Sequence, residues 1–277
     1  MPFENDSVRR RVTVATAACG ALFATLTACA SPASGPARTG GAPASGGRTA
    51  HSPSESPAPT TDPARIPGVG ARLYRRIPAD SRQIVAVYGE GANSAESRMV
   101  LYTRRGAKWH RMASWPAHNG RHGWTADHHE GDRRSPVGVF TLSDAGGVLP
   151  DPGARLPYDH DVSAYTPPAD WDEAHRHDFD YVIAIDYNRL PGTPPRDAGR
   201  PWGADKGGGI WLHMDHGSGT SACVSVSKQA MEFLLRTLDP ARHPVVVMGD
   251  RAELAAQALS SHSRLPAGGR RESDDRA

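Results

Sequence analysis

An excess of charge of either sign is missing from this chain. Its 277 residues carry 32 Lys and Arg against 30 Asp and Glu, a formal net charge of +2. No broad field exists to gather nucleic acid, and that class of partner is set aside. Cysteine is scarce too. Of three, Cys19 lies within an apolar N-terminal segment and Cys29 closes it, leaving Cys223 as the single thiol of the rest. A disulfide framework is therefore excluded, and an unpaired thiol there is either a buried, inert side chain or a nucleophile. Bulky aliphatic side chains are absent from 30 to 65, a stretch of Ala, Ser, Pro, Gly and Thr that ends at Ile66. Such a segment buries too little apolar area to offset its chain entropy and is expected to be disordered. The length suits one folded domain, and 29 Gly with 24 Pro make much of it turn or linker.

What is present at the N-terminus reads as an export signal. Arg9-Arg10-Arg11 precedes an uncharged run from Val12 to Ala28, the arrangement of a signal peptide. The run closes on Leu26-Thr27-Ala28-Cys29, which resembles the lipobox of bacterial lipoproteins. Residues 1–28 are then a lipoprotein signal peptide, and lipidated Cys29 is the mature N-terminus and the contact with the membrane. The alternative is an uncleaved membrane anchor, for which the run is short and rich in Ala and Thr. Residues 29–70 form a tether reaching roughly a few tens of Å, and the protein is expected outside the cytoplasm.

From 71 to 250 the pattern is of short strands between Gly and Pro turns. Strands are expected at Gln83–Tyr88, Arg98–Thr103, Lys108–Trp115, Val137–Leu142, Tyr181–Ile185, Ile210–His213 and Val245–Met248. One helix stands out: Ser227 is a natural N-cap, Met231, Leu234, Leu235 and Leu238 make one apolar face, and Pro240 closes it. The fold class is mainly β, a sandwich-like domain with one amphipathic helix after Cys223. The polar, Pro-rich segment from Leu149 to Asp178 is too long for a plain connection and is read as a lid or wall beside a site. Residues 251–277 add a short helix and a polar tail.

The informative stretch is Gly208-Gly209-Ile210-Trp211-Leu212-His213, then Met214 to Ala222, then Cys223-Val224-Ser225-Val226. An apolar strand ends in histidine, a Gly/Ser loop follows, and a cysteine comes just before a helix. A nearby imidazolium or a helix N-terminus lowers a thiol's pKa. Backbone N–H groups at Ala222 and Cys223 would face a developing oxyanion. These are the parts of an acyl-transfer site.

This stretch resembles the catalytic motif of the L,D-transpeptidase family, and the resemblance continues upstream. Asn119-Gly120-Arg121, Asp127-His128-His129-Glu130-Gly131-Asp132 and Ser135-Pro136-Val137-Gly138-Val139-Phe140 are similar to family signatures, as is Asp186-Tyr187-Asn188. The resemblance implies Cys223 as nucleophile and His213 as base, with the Met214 carbonyl orienting the imidazole and Ser221 and Ala222 giving backbone support. It implies peptidoglycan stem peptides as substrate, a thioester resolved by an amine, and no metal or organic cofactor. The sequence departs from the family where Ala222 replaces glycine, Ser221 replaces histidine, and Ser225 replaces Arg or Asn. If position 222 needs a positive φ, alanine there is strained by roughly 1 kcal/mol or more.

Three other readings stand beside this one. His213-Met214-Asp215-His216 with Asp127-His128-His129 would suit a zinc-dependent peptidoglycan amidase. A non-catalytic wall-binding lipoprotein would need neither Cys223 nor His213. The same thioester with water as acceptor would make a hydrolase.

Overall fold

The structure, a computed structural model, describes residues 63–256; the signal segment, Cys29 and most of the tether lie outside the described residues. The strands are β1 (Gln83–Gly89), β2 (Glu96–Arg105), β3 (Lys108–His118), β4 (Trp124–Thr125), β5 (Ser135–Pro136) and β6 (Gly138–Thr141). They continue as β7 (Ala145–Gly147), β8 (Tyr158–His160), β9 (Val182–Ala184), β10 (Trp211–Met214), β11 (Val224–Val226) and β12 (Val245–Asp250). Four short helices interleave with them: α1 (Ala71–Tyr74), α2 (Val162–Tyr165), α3 (Lys228–Thr237) and α4 (Arg251–Ala255).

Ten strands join one hydrogen-bonded sheet in the order β6-β12-β1-β2-β3-β11-β10-β9-β7-β8, and β4 pairs separately with β5. The domain is mainly β, as expected. The two layers of the anticipated sandwich are stretches of a single sheet, because strongly twisted sheets of this many strands curl on themselves. β1, third from the β6 edge, is buried at every residue. The run Gln83-Ile84-Val85-Ala86-Val87 has no solvent-facing alternation because both faces of this strand are covered. β12 lies parallel to it on one side and β2 antiparallel on the other.

Helix α3 begins where its sequence signals place it. Ser227 Oγ accepts the Ala230 N–H at 3.3 Å, satisfying one of the orphan donors of the first turn. Ala230, Met231, Leu234 and Leu235 are buried along one face, and Leu238, just past the last turn, is buried as well. Each of these larger side chains contributes about 1.5–3 kcal/mol on leaving water. The stripe is core.

Packed chain begins earlier than residue 71. Ile66 and Val69 belong to the core, the Pro63 carbonyl accepts the Trp109 N–H at 2.8 Å, and the Leu254 carbonyl accepts the Gly70 N–H at 2.8 Å. Leu254 of α4 belongs to the same core, and an ion pair joins Arg72 to Glu253.

Candidate active site

Two short parallel strands position the histidine and the cysteine, His213 within β10 and Cys223 just ahead of β11. β10 and β11 pair with Leu212 opposite Val224 and His213 opposite Ser225. Leu212, Val224 and Val226 are fully buried in the core. Side chains alternate along strands, so Trp211, His213 and, just ahead of β11, Cys223 belong to the other face. With strands ~4.8 Å apart and ~3.3 Å of rise per residue, the Cα atoms of His213 and Cys223 are about 8 Å apart. Both side chains line a cavity of about 610 Å³.

His213 is buried, and its Nδ1 lies 2.8 Å from the Met214 carbonyl oxygen. A carbonyl only accepts, so Nδ1 carries the proton and Nε2 keeps its lone pair. Burial lowers the pKa of the ring below the usual histidine value, which leaves it a neutral base at neutral pH. Phe179 packs edge-on against it at 5.5 Å. The Met214 carbonyl thus fixes the orientation and tautomer of the ring.

Cys223 Sγ accepts the Trp211 N–H at 3.3 Å and donates to the Gly209 carbonyl at 3.6 Å. Burial pushes the thiol up to about 11, with the Trp211 N–H working in the opposite direction. The resting pair is therefore thiol and neutral imidazole, sharing one cavity without a hydrogen bond between them. The expectation of a thiolate prepared by an imidazolium or a helix N-terminus is corrected. β11 intervenes between Cys223 and α3, whose first residue is Lys228, and the buried ring resists protonation.

The backbone on the far side of Cys223 is held by residues that the motif reading left without a role. Ser135 Oγ lies 2.7 Å from the Ala222 carbonyl and 3.1 Å from the Cys223 carbonyl, and Thr220 Oγ1 donates to the latter at 2.7 Å. Ser135 Oγ also accepts the Gly120 N–H at 2.9 Å, while Thr220 exchanges backbone bonds with Asn119 and Arg121. Residues of the upstream motifs thus cradle the loop that carries Cys223. In a trans peptide the N–H points opposite the C=O, so the Cys223 N–H is turned away from Ser135. Ser221, Ala222 and Cys223 also line a second cavity of about 200 Å³ with Gly208, Gly209 and His128. Cys223 stands in the wall between the two.

The three departures from the family pattern resolve separately. Among the described residues, positive φ outside glycine occurs at Arg133, Asn188 and His243, so Ala222 is unstrained and the expected cost disappears. Ser221 is exposed at the cavity mouth. Ser225 is fully buried and donates to Asp215 at 2.7 Å, a carboxylate that His118 Nδ1 also approaches to 2.7 Å.

The segment from Leu149 to Asp178 forms one wall, as its length and composition suggested. Asp170, Trp171, Asp172, His175 and Asp178 all line the larger cavity. The histidine clusters of the zinc reading do not assemble as that reading grouped them. His213 is tied to the Met214 carbonyl, and His216 turns instead to Asp178. His128 Nδ1 faces Asp132 at 2.9 Å, whereas His129 Nδ1 contacts the Asp127 carbonyl at 3.1 Å.

A family model described as the L,D-transpeptidase catalytic domain (YkuD) matches residues 92–247. No curated protein matches the chain. Among solved structures, the helical cell shape determining protein Pgp2 of Campylobacter jejuni is 16% identical. That match covers 62% of this chain and 48% of Pgp2 at a TM-score of 0.35. Bd1075 of Bdellovibrio bacteriovorus is also 16% identical, over 61% of this chain and 48% of its own, at a TM-score of 0.33. The chain spans about half the length of these structures.

Proposed function

Because the chain belongs to the L,D-transpeptidase catalytic-domain family, we propose that it is a peptidoglycan L,D-transpeptidase using Cys223 as nucleophile and His213 as base. A buried imidazole whose Nδ1 is committed to the Met214 carbonyl, on the same sheet face and in the same cavity as Cys223, is the observation that carries this reading. The Cys223 sulfur attacks a stem-peptide carbonyl while His213 Nε2 takes the thiol proton. The carbon–nitrogen bond then breaks, and the imidazolium returns that proton to the departing amine, leaving a thioester. An acceptor amine attacks the thioester, His213 removes its proton, and the thiol is regenerated. General-base assistance of this kind is worth about 10²–10⁴-fold. Cys223 N–H, turned away from Ser135, is the donor proposed to meet the oxyanion. The cavities on either side of Cys223 give separate room to acyl donor and acceptor.

Incubation with purified tetrapeptide stems, followed by mass spectrometry, tests this. The expected products are a cross-linked dimer and free D-alanine, both lost in Cys223→Ala. Shortened monomer without dimer makes water the acceptor and the protein a hydrolase. Cleavage that survives Cys223→Ala and is lost on chelation would replace the proposal with the amidase. Binding without any product would leave a wall-binding lipoprotein. For the N-terminus, lipid on Cys29 is proposed to hold the enzyme at the membrane outside the cytoplasm. Cys29→Ser should shift it to the soluble fraction or stall its processing, and unchanged fractionation would defeat that part alone.

A further inference from the structure

Two histidines and a carboxylate converge in the wall of the larger cavity and have no part in the acyl-transfer scheme. His175 Nδ1 lies 2.8 Å from Asp178 Oδ2, and His216 Nδ1 lies 3.1 Å from the same oxygen. The two rings are 4.1 Å apart between centroids. One ligand atom from each residue falls within 4.8 Å of the others. The side chains of Asp178 and His216 are only 5% and 3% exposed. His216 Nε2 is buried with no hydrogen-bond partner, although structural histidines commonly use both ring nitrogens.

The geometry points to a divalent-cation site of the zinc type, formed by His175, Asp178 and His216 and opening onto the cavity. Zinc bonds of about 2.0–2.1 Å in a tetrahedron put ligand atoms about 3.3 Å apart, so small outward shifts of these donors admit the ion. Two imidazoles with a single carboxylate suit Zn²⁺ and not Mg²⁺ or Ca²⁺, which take oxygen ligands. Three protein ligands leave a fourth position for water or a ligand group, and all three residues line the cavity. The sequence places His175 and Asp178 at the end of the long wall segment and His216 in the loop after β10. A bound ion therefore joins wall to loop. The Asp178 main chain is already anchored there, its carbonyl accepting the Met214 N–H at 3.0 Å.

The site is independent of Cys223, and its test reads metal, not turnover. The full chain, purified without an affinity tag and stripped with chelator, is titrated with Zn²⁺ and with Co²⁺. Expected are one ion retained per chain after desalting and the visible bands of tetrahedral Co²⁺ without a thiolate charge-transfer band. His175→Ala and His216→Ala should each weaken binding at least about 100-fold, Asp178→Asn should do so with little change of shape, and Cys223→Ala should bind as wild type. Thermal unfolding in the absence of metal identifies any variant that fails to fold, and Asp178→Asn then decides. No ion retained by the wild type, affinity unchanged in Asp178→Asn, or a charge-transfer band that vanishes in Cys223→Ala would each overturn the assignment. Any of these results leaves the thioester scheme to its own experiment.

Discussion

The hydroxyl of Ser135 lies 2.7 Å from the carbonyl oxygen of Ala222, bringing the strand before β6 directly under the residue that precedes Cys223. The same oxygen takes the Gly120 N–H, so one fully buried side chain fastens two loops together. Ser135→Ala removes this hydroxyl and leaves a backbone carbonyl and an N–H buried without it. The expected loss is about 1–3 kcal/mol, read as a lower urea midpoint at unchanged slope. Thioester formation should slow as well, because the Cys223 peptide loses its support. Unaltered stability would mean that Thr220 alone holds this turn.

A carbapenem-type β-lactam offers Cys223 a strained carbonyl with an attached leaving group. Intact mass should show one adduct, localised by digestion to the peptide from Thr220 to Lys228. His213→Ala should slow its formation by roughly 10²–10⁴-fold, with the thiol still present to be counted. Equal rates in the two proteins would remove His213 from the role of base.

Cys223 should behave as a weakly acidic thiol in the free protein. Burial raises its pKa from the ordinary 9.0 to about 11, so alkylation at constant reagent should keep accelerating through this range. The linked stability has a definite sign. A raised folded-state value favours the native protein fully below the ordinary thiol pKa of 9.0 and loses that contribution as pH climbs through about 11. Wild type should therefore lose stability relative to Cys223→Ala across that interval. An alkylation plateau near neutral pH would show instead that the thiolate forms readily at rest.

Ala222→Gly should bring no gain in acylation rate. The alanine has no positive φ to relieve, and its side chain is only 8% exposed. Glycine adds unfolded-state freedom at a cost of about 0.5–1 kcal/mol. Faster acylation of the Ala222→Gly variant would mean that this peptide adopts a left-handed conformation during reaction.

Elements whose signals are local were legible in the sequence. The unbroken apolar run of β1 and the Ser227 cap with its Met231-Leu234-Leu235 stripe each carry their own periodicity. The nearness of His213 to Cys223 was legible too, since strand, loop and thiol lie within one short stretch and both side chains line one cavity. β11 was not legible. Val224-Ser225-Val226 is too short to declare itself and exists because β10 and β3 lie on either side of it. The pKa shifts of His213 and Cys223 were hidden for the same reason, because burial is a property of the assembled fold. Ser135 stood in a quoted motif, yet its bond to Ala222 spans 87 residues. His175, Asp178 and His216 converge only once the long wall segment folds against the loop after β10. Ile66 and Val69 were assigned to the tether because composition cannot say that a sheet end waits for them.

The parallel pairing of β1 with β12 has a mechanical consequence. These are the first and last strands of the sheet, matched from Ile84 opposite Val245 to Gly89 opposite Asp250. The chain enters β1 at its start and leaves β12 at its end. Tension between the two chain ends therefore pulls the neighbours past each other along their length, and the bonds of the ladder share the load instead of opening one after another. The contacts of Gly70 and Arg72 with the α4 segment, and those of Pro63 with Trp109 and Pro67 with Tyr88, lie outside that ladder and yield first. A protein hauled by its ends would shed its short terminal helices while the sheet beneath Cys223 stays closed.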